Sequence, residues 1–123
     1  MKKIKKIVIY LLTIISILFC IKQIVPSLKL DGYSGLLLNI LLLTDDTKYS
    51  ENYTGRKFLK VKKGMTKQEV INILGDPLAE WESEENIERL EYSESPKDTH
   101  YRIRQVYLKN NIVTERISYF YVD

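Results

Sequence analysis

Histidine and cysteine each occur once in this 123-residue chain, as His100 and Cys20. A lone cysteine excludes an internal disulfide, so no covalent staple holds the fold. One histidine leaves no Ser, Cys or Thr nucleophile with a base at motif spacing. A metal site would need a carboxylate cage, and no spacing here provides one. Glycine is scarce and never gathers into a phosphate-binding loop; Gly64 and Gly75 read as helix punctuation. These absences point to a non-enzymatic protein with no cofactor, no metal and no evident small-molecule substrate.

Acidic residues are missing from the start of the chain, and this localises the positive charge. Five of the 19 Lys and Arg residues, Lys2, Lys3, Lys5, Lys6 and Lys22, lie in or beside the first apolar segment. From residue 23 onward, 14 basic side chains face 16 acidic ones, so the formal +3 belongs to the N-terminus. The remainder has no field that would recruit nucleic acid.

Residues 1–6 form a basic cap, and residues 7–25 follow as a 19-residue apolar run broken by Thr13, Ser16, Lys22 and Gln23. That length falls within the ~17–25 residues that cross a bilayer core. The positive-inside rule puts the cap in the cytoplasm and the rest of the chain outside. Three fates compete for the segment. Cleavage needs small residues in an A-x-A-like pattern, and Ile17-Leu18-Phe19-Cys20-Ile21 has none. A lipoprotein signal puts a small residue before the modified cysteine, where this chain has Phe19. An uncleaved single-pass signal anchor is expected, with lipidation of Cys20 as the alternative. Membrane lipid is then one partner, through residues 7–25.

Residues 26–57 read as a juxtamembrane apolar segment and linker. Pro26 is expected to end or kink the anchor helix. Leu36–Leu43 is too short to span a bilayer and suggests a short buried or interfacial helix, or one that docks on a partner. Thr44–Gly55 is polar and turn-rich, as a linker would be.

The most informative stretch runs from Phe58 to Pro77. Thr66 and Glu69 have capping-box spacing, and Met65 and Val70 stand where a hydrophobic staple would place them. Val70, Ile73 and Leu74 make a helical apolar stripe, Gly75 suits the residue after the helix, and Pro77 prevents continuation. A helix from about Lys67 to Leu74 is predicted.

These same residues, Gly64-Met65-Thr66, Val70 and Leu74-Gly75-Asp76-Pro77, resemble the signature of the SmpA/OmlA domain, the BamE-like family of outer-membrane assembly components. The likeness covers about Phe58 to Tyr119, with Glu91-Tyr92 and Val106–Val113 matching its strands. It implies a domain over 58–123 that binds an envelope protein, as a scaffold or accessory subunit of a bacterial envelope complex. Two departures stand out: Phe19 replaces the lipobox residue, and Leu36–Leu43 is additional. A second reading, from the similar β-lactamase-inhibitor-like fold, is an inhibitor or immunity module that binds a secreted or foreign protein.

The sheet follows from alternation. Ala79–Ser83 and Ile87–Ser93 are predicted strands around a Glu84-Glu85-Asn86 turn, and Tyr101–Leu108 and Ile112–Tyr121 a hairpin around Asn110-Asn111. Val106 and Leu108 share one face; Val113, Ile117 and Tyr119 are assigned together to another; Tyr101, Ile103 and Tyr107 take the opposite register to Val106. The expected fold class is α+β, an N-terminal transmembrane helix followed by one or two short helices on a three- to four-stranded antiparallel sheet. Its second, aromatic face, with Trp81, Tyr101 and Tyr107, is the candidate partner surface. The glutamates around Trp81 read as a solvated face. The basic group Arg56, Lys57, Lys60, Lys62, Lys63 and Lys67 could touch anionic headgroups.

Overall fold

The structure, a computed structural model, describes residues 1–42 and 45–123. Leu43, the last residue of the Leu36–Leu43 run, and Thr44, the first of the expected linker, lie outside the described residues. Helix α1 spans Lys2–Leu42, and it is exposed throughout residues 2–25. It is long and apolar enough to cross a membrane, with a mean hydropathy of 2.3 in its most apolar stretch. Pro26 lies inside α1 and does not end it. Proline removes one backbone donor, a defect that a long helix absorbs with a local kink. The break comes instead at Gly32, whose φ of 71° and ψ of −177° suit only glycine.

The residues just before this break belong to the folded domain. Leu30 is 6% exposed and joins the core cluster. Asp31, next in the chain, carries a side chain only 5% exposed and meets Arg104 of the sheet. The segment after Gly32 packs on the last strand, where a Cβ on Gly35 would stand 3.2 Å from Phe120 Cβ.

Two short helices follow, and both start with the same device. Helix α2 (Gly55–Lys60) is capped by Thr54, whose hydroxyl accepts from the Lys57 amide at 3.2 Å. Tyr53 precedes the cap and packs on Phe58 with ring centroids 5.8 Å apart, a hydrophobic staple. Helix α3 (Lys67–Leu74) begins with a complete capping box: Thr66 Oγ1 accepts from the Glu69 amide at 3.2 Å, and Glu69 Oε2 accepts from the Thr66 amide at 2.7 Å. It ends at Gly75, φ 77°. Thus α2 occupies the end of the expected linker, where the Thr54 cap and its staple outweigh the turn-rich composition before them.

Strands β1 (Lys48–Tyr49) and β4 (Ser93–Glu94) make a two-stranded ladder. Strands β2 (Ala79–Glu82), β3 (Ile87–Glu91), β5 (Tyr101–Lys109) and β6 (Ile112–Tyr121) form a four-stranded antiparallel sheet in the order β2-β3-β5-β6. The architecture is α+β. Asn110 and Asn111, with φ of 50° and 67°, make the β5–β6 turn. The segment before α3 is bonded to this hairpin: Gly64 donates to Val113 O at 2.9 Å, and Val113 donates back to Met65 O at 2.7 Å.

One register assignment is corrected. Tyr107 pairs with Glu115 but Leu108 pairs with Val113, so Thr114 is an extra residue in β6. A bulge of one residue reverses the facing of everything beyond it. Val113 therefore lies with Val106 and Leu108 in the core, while Ile117 and Tyr119 lie on the opposite face. The core of Phe58, Val70, Leu74, Leu90, Val106 and Leu108, each 0% exposed, fills the space between sheet and helices. Arg116 closes its edge, donating from Nη1 to the carbonyls of Phe58 and Val61 at the end of α2, both at 3.1 Å.

Candidate interaction face

Pairing across the sheet sorts its side chains into two faces. Leu90, Val106 and Arg116 stand in one row and point at the helices; Trp81, Arg89, Tyr107 and Glu115 stand in the next and point away. The core cluster and the helices lie against the first face, and on the second Ile103 is buried at 7% exposure. The second face also carries Trp81, 48% exposed, Tyr119, 46%, and Tyr121, 40%, with Tyr101, Tyr107 and Ile117 half-buried among them. Antiparallel sheets commonly solvate one face, and that face then reads as polar. Here it is largely aromatic and aliphatic.

Trp81 and Tyr107 flank Arg89 in a single cross-strand row. The Arg89 guanidinium lies 5.3 Å from the centroid of the Trp81 ring, in cation–π contact. Its Nε also lies 2.8 Å from Glu91 Oε1. The Tyr107 hydroxyl first, and the Glu91 carboxylate with it, hold the guanidinium above the ordinary arginine value against the opposing effect of burial. The row sets two aromatic side chains on either side of a planar cation.

Tyr101 lies six residues from Tyr107 along β5, about 20 Å away at the usual strand rise. It meets Tyr121 edge-on, ring centroids 5.9 Å apart. Burial, followed by the charge of Glu91, raises the Tyr101 hydroxyl pKa. Beside this pair opens a concavity of about 540 Å³ lined also by Glu91, Glu94, Asp98 and Asp123, with no basic side chain. The face thus has an aromatic–cationic end at Trp81 and an aromatic–acidic end at Tyr101. Trp81, Tyr101 and Tyr107 share one face, but only Trp81 and Tyr107 share a row.

The motif residues lie on the other side of the sheet. Gly64 and Met65 bond to β6, Thr66 and Glu69 cap α3, Val70 and Leu74 are fully buried, and Gly75 O accepts from the Tyr92 hydroxyl at 3.0 Å. Half-buried Pro77 follows the helix. The glutamates near Trp81 divide. Glu80 and Glu88 both pair with Lys67, at 2.9 and 2.7 Å, whereas Glu82, Glu84 and Glu85 are exposed. His100 Nδ1 accepts from the Asp123 amide at 3.1 Å. Among the described residues no cluster of three His, Cys, Asp or Glu side chains could hold a metal.

A second polar constellation, absent from the sequence reading, ties α1 to the sheet. Arg104 is 1% exposed; its Nη2 donates to Asp31 Oδ2 at 2.9 Å, Nε to the Tyr53 hydroxyl at 2.9 Å, and Nη1 to Ile103 O at 2.8 Å. Burial lowers the guanidinium pKa, and Asp31 with the two nearby tyrosines more than offsets it. Asp31 and Arg104 are 73 residues apart, and no local pattern links them. Comparison with protein-family models, with curated proteins and with solved structures returns no match.

Proposed function

We propose that α1 crosses a membrane once through residues 7–25, with the basic cap cytoplasmic, and that residues 26–123 form an extracytoplasmic protein-binding module. The module acts as a scaffold or accessory subunit of an envelope complex. The observation that carries this reading is the open sheet face, where Trp81, Tyr119 and Tyr121 are exposed while the opposite face carries the core. Exposed patches of this kind mark interaction surfaces, and tyrosine, tryptophan and arginine are the residues that dominate interface energetics. The acidic concavity beside Tyr101 and Tyr121 suits a partner that brings basic side chains to that end.

Two further features support the reading. The likeness of Gly64–Pro77 to the SmpA/OmlA motif suggests an envelope-assembly role. The helix that carries the anchor also continues past Val25 to contribute Leu30 and Asp31 to the domain interior. A module built this way stays at its membrane, which suits a scaffold better than a released inhibitor. The test is affinity purification of the full chain from detergent-solubilised membranes, after an alkaline carbonate wash of those membranes. Retention through the wash and recovery of a stoichiometric envelope protein are expected. Release by carbonate refutes the anchor, and recovery of the chain alone refutes the scaffold. Tight binding to one soluble secreted protein would favour the inhibitor.

A further inference from the structure

A cavity of about 480 Å³ opens where α1 enters the domain. Gln23 and Ser27 line it from α1, Thr54 and Arg56 from the start of α2, and Arg102 and Arg104 from β5. Its volume lies in the ~300–1,000 Å³ range of small-molecule sites. Its charge is one-sided. Three guanidinium groups line it against one carboxylate, Asp31, which Arg104 already neutralises. Arg102 faces Asp45, with Nε 3.2 Å from Oδ2. Arg56 is exposed and enters no ion pair among the described residues. Arg56 thus lines the cavity as a cation without a carboxylate partner among the described residues.

We infer that this cavity binds the phosphate-bearing headgroup of an anionic membrane lipid, with Arg56 as the principal phosphate contact and Gln23, Ser27 and Thr54 as polar supports. The inference rests on the membrane-spanning reading of residues 7–25. With that segment crossing the bilayer, Gln23 and Ser27 flank its distal end at Val25, at the boundary with the headgroups. The α1 residues lining the cavity continue directly into the apolar stretch that ends at Val25. A headgroup held there leaves its acyl chains beside that stretch, an arrangement open to a lipid and not to a soluble phosphate. The guanidinium fork matches phosphate oxygens, and exposed Lys22, Lys29 and Lys60 add to the attractive field, against Asp45, which Arg102 balances, and exposed Glu51. Lys67 contributes nothing here, because Glu80 and Glu88 occupy it.

The test uses the full chain in phosphatidylcholine nanodiscs with and without phosphatidylglycerol, read by native mass spectrometry of the lipids retained on the protein. One phosphatidylglycerol per chain is expected, retained in preference to phosphatidylcholine. Arg56→Ala should weaken that retention about tenfold, the effect of losing one charge-assisted hydrogen bond, and Arg56→Lys should restore most of it. Unchanged retention by Arg56→Ala overturns the site. So does displacement of the lipid by millimolar inorganic phosphate, which would identify a soluble anion as the ligand. A carbonate wash of membranes separates the two levels: release of the chain defeats the anchor and the site together. A chain that stays embedded without lipid preference defeats the site alone.

Discussion

Asp31 and Arg104, 73 residues apart, form an ion pair whose side chains are 5% and 2% exposed, with Nη1 2.8 Å from Oδ1 and Nη2 donating to Oδ2 at 2.9 Å. One partner is the last residue before the break in α1 and the other sits in the middle of β5. Breaking an enclosed pair from one side strands a charge, at about 3–5 kcal/mol. Asp31→Ala and Arg104→Ala should each lower the thermal midpoint of the full chain sharply in detergent. The pair Asp31→Leu with Arg104→Met should recover most of the loss, because no charge is left unpaired. An additive double mutant would show that the two residues are not coupled.

The same contact sets where the domain can be cut. A chain beginning at residue 27 keeps Leu30 and Asp31 and should give a dispersed amide NMR spectrum in mild detergent. One beginning at residue 45 loses both, together with the Phe120 contact at Gly35, and should give a collapsed spectrum. A well-dispersed spectrum from the shorter chain would refute the integration of α1 into the core.

Both short helices depend on their first turn. Thr66→Ala removes the acceptor for the Glu69 amide and should cost about 1 kcal/mol, with Thr54→Ala similar at α2. Denaturant midpoints at unchanged slope would register the loss as stability alone. Thr66→Ser should be nearly silent.

Alkaline pH should unfold the domain through its buried tyrosines. Burial pushes the Tyr53 hydroxyl from 10.0 up to about 12, and it raises Tyr49 and Tyr92 as well. The folded values lie above the unfolded one, so the stability they contribute is fully present below about pH 10. It is lost as pH rises toward about 12 for Tyr53. Urea midpoints measured across that window should fall. Tyr53→Phe should flatten the fall while lowering stability at neutral pH, since Arg104 Nε loses its acceptor. A flat alkaline profile for the unmodified chain would contradict this.

The local elements were legible in the sequence because their causes are local. The capping box, the staple and the Asn-Asn turn lie within a few residues of what they control, and α3 spans the predicted Lys67–Leu74. What escaped was non-local or compensated. Pro26 was expected to end or kink the helix, and the helix continues past it. Val113 was assigned by strict alternation, and the extra Thr114 reverses it. Arg104 carries no local signal of its burial, since its partners Asp31 and Tyr53 come from distant segments. The Thr54 cap with Tyr53 and Phe58 would have announced α2, since it repeats the Met65-Thr66-Val70 pattern in which α3 was recognised. Of the candidate face, the aromatic register was readable, and the Trp81–Arg89–Tyr107 row required the pairing of three strands.

Whether the open sheet face engages a protein partner at the membrane is decided by site-specific photocrosslinking in cells. A photoreactive residue at Tyr107 or Tyr119 on the open face, and one at Asn72 on the exposed side of α3 as control, leave the core and the helix cap intact. A discrete adduct of one size is expected from positions 107 and 119 and none from 72. Adducts from 72 alone, or none from the sheet positions, would contradict it.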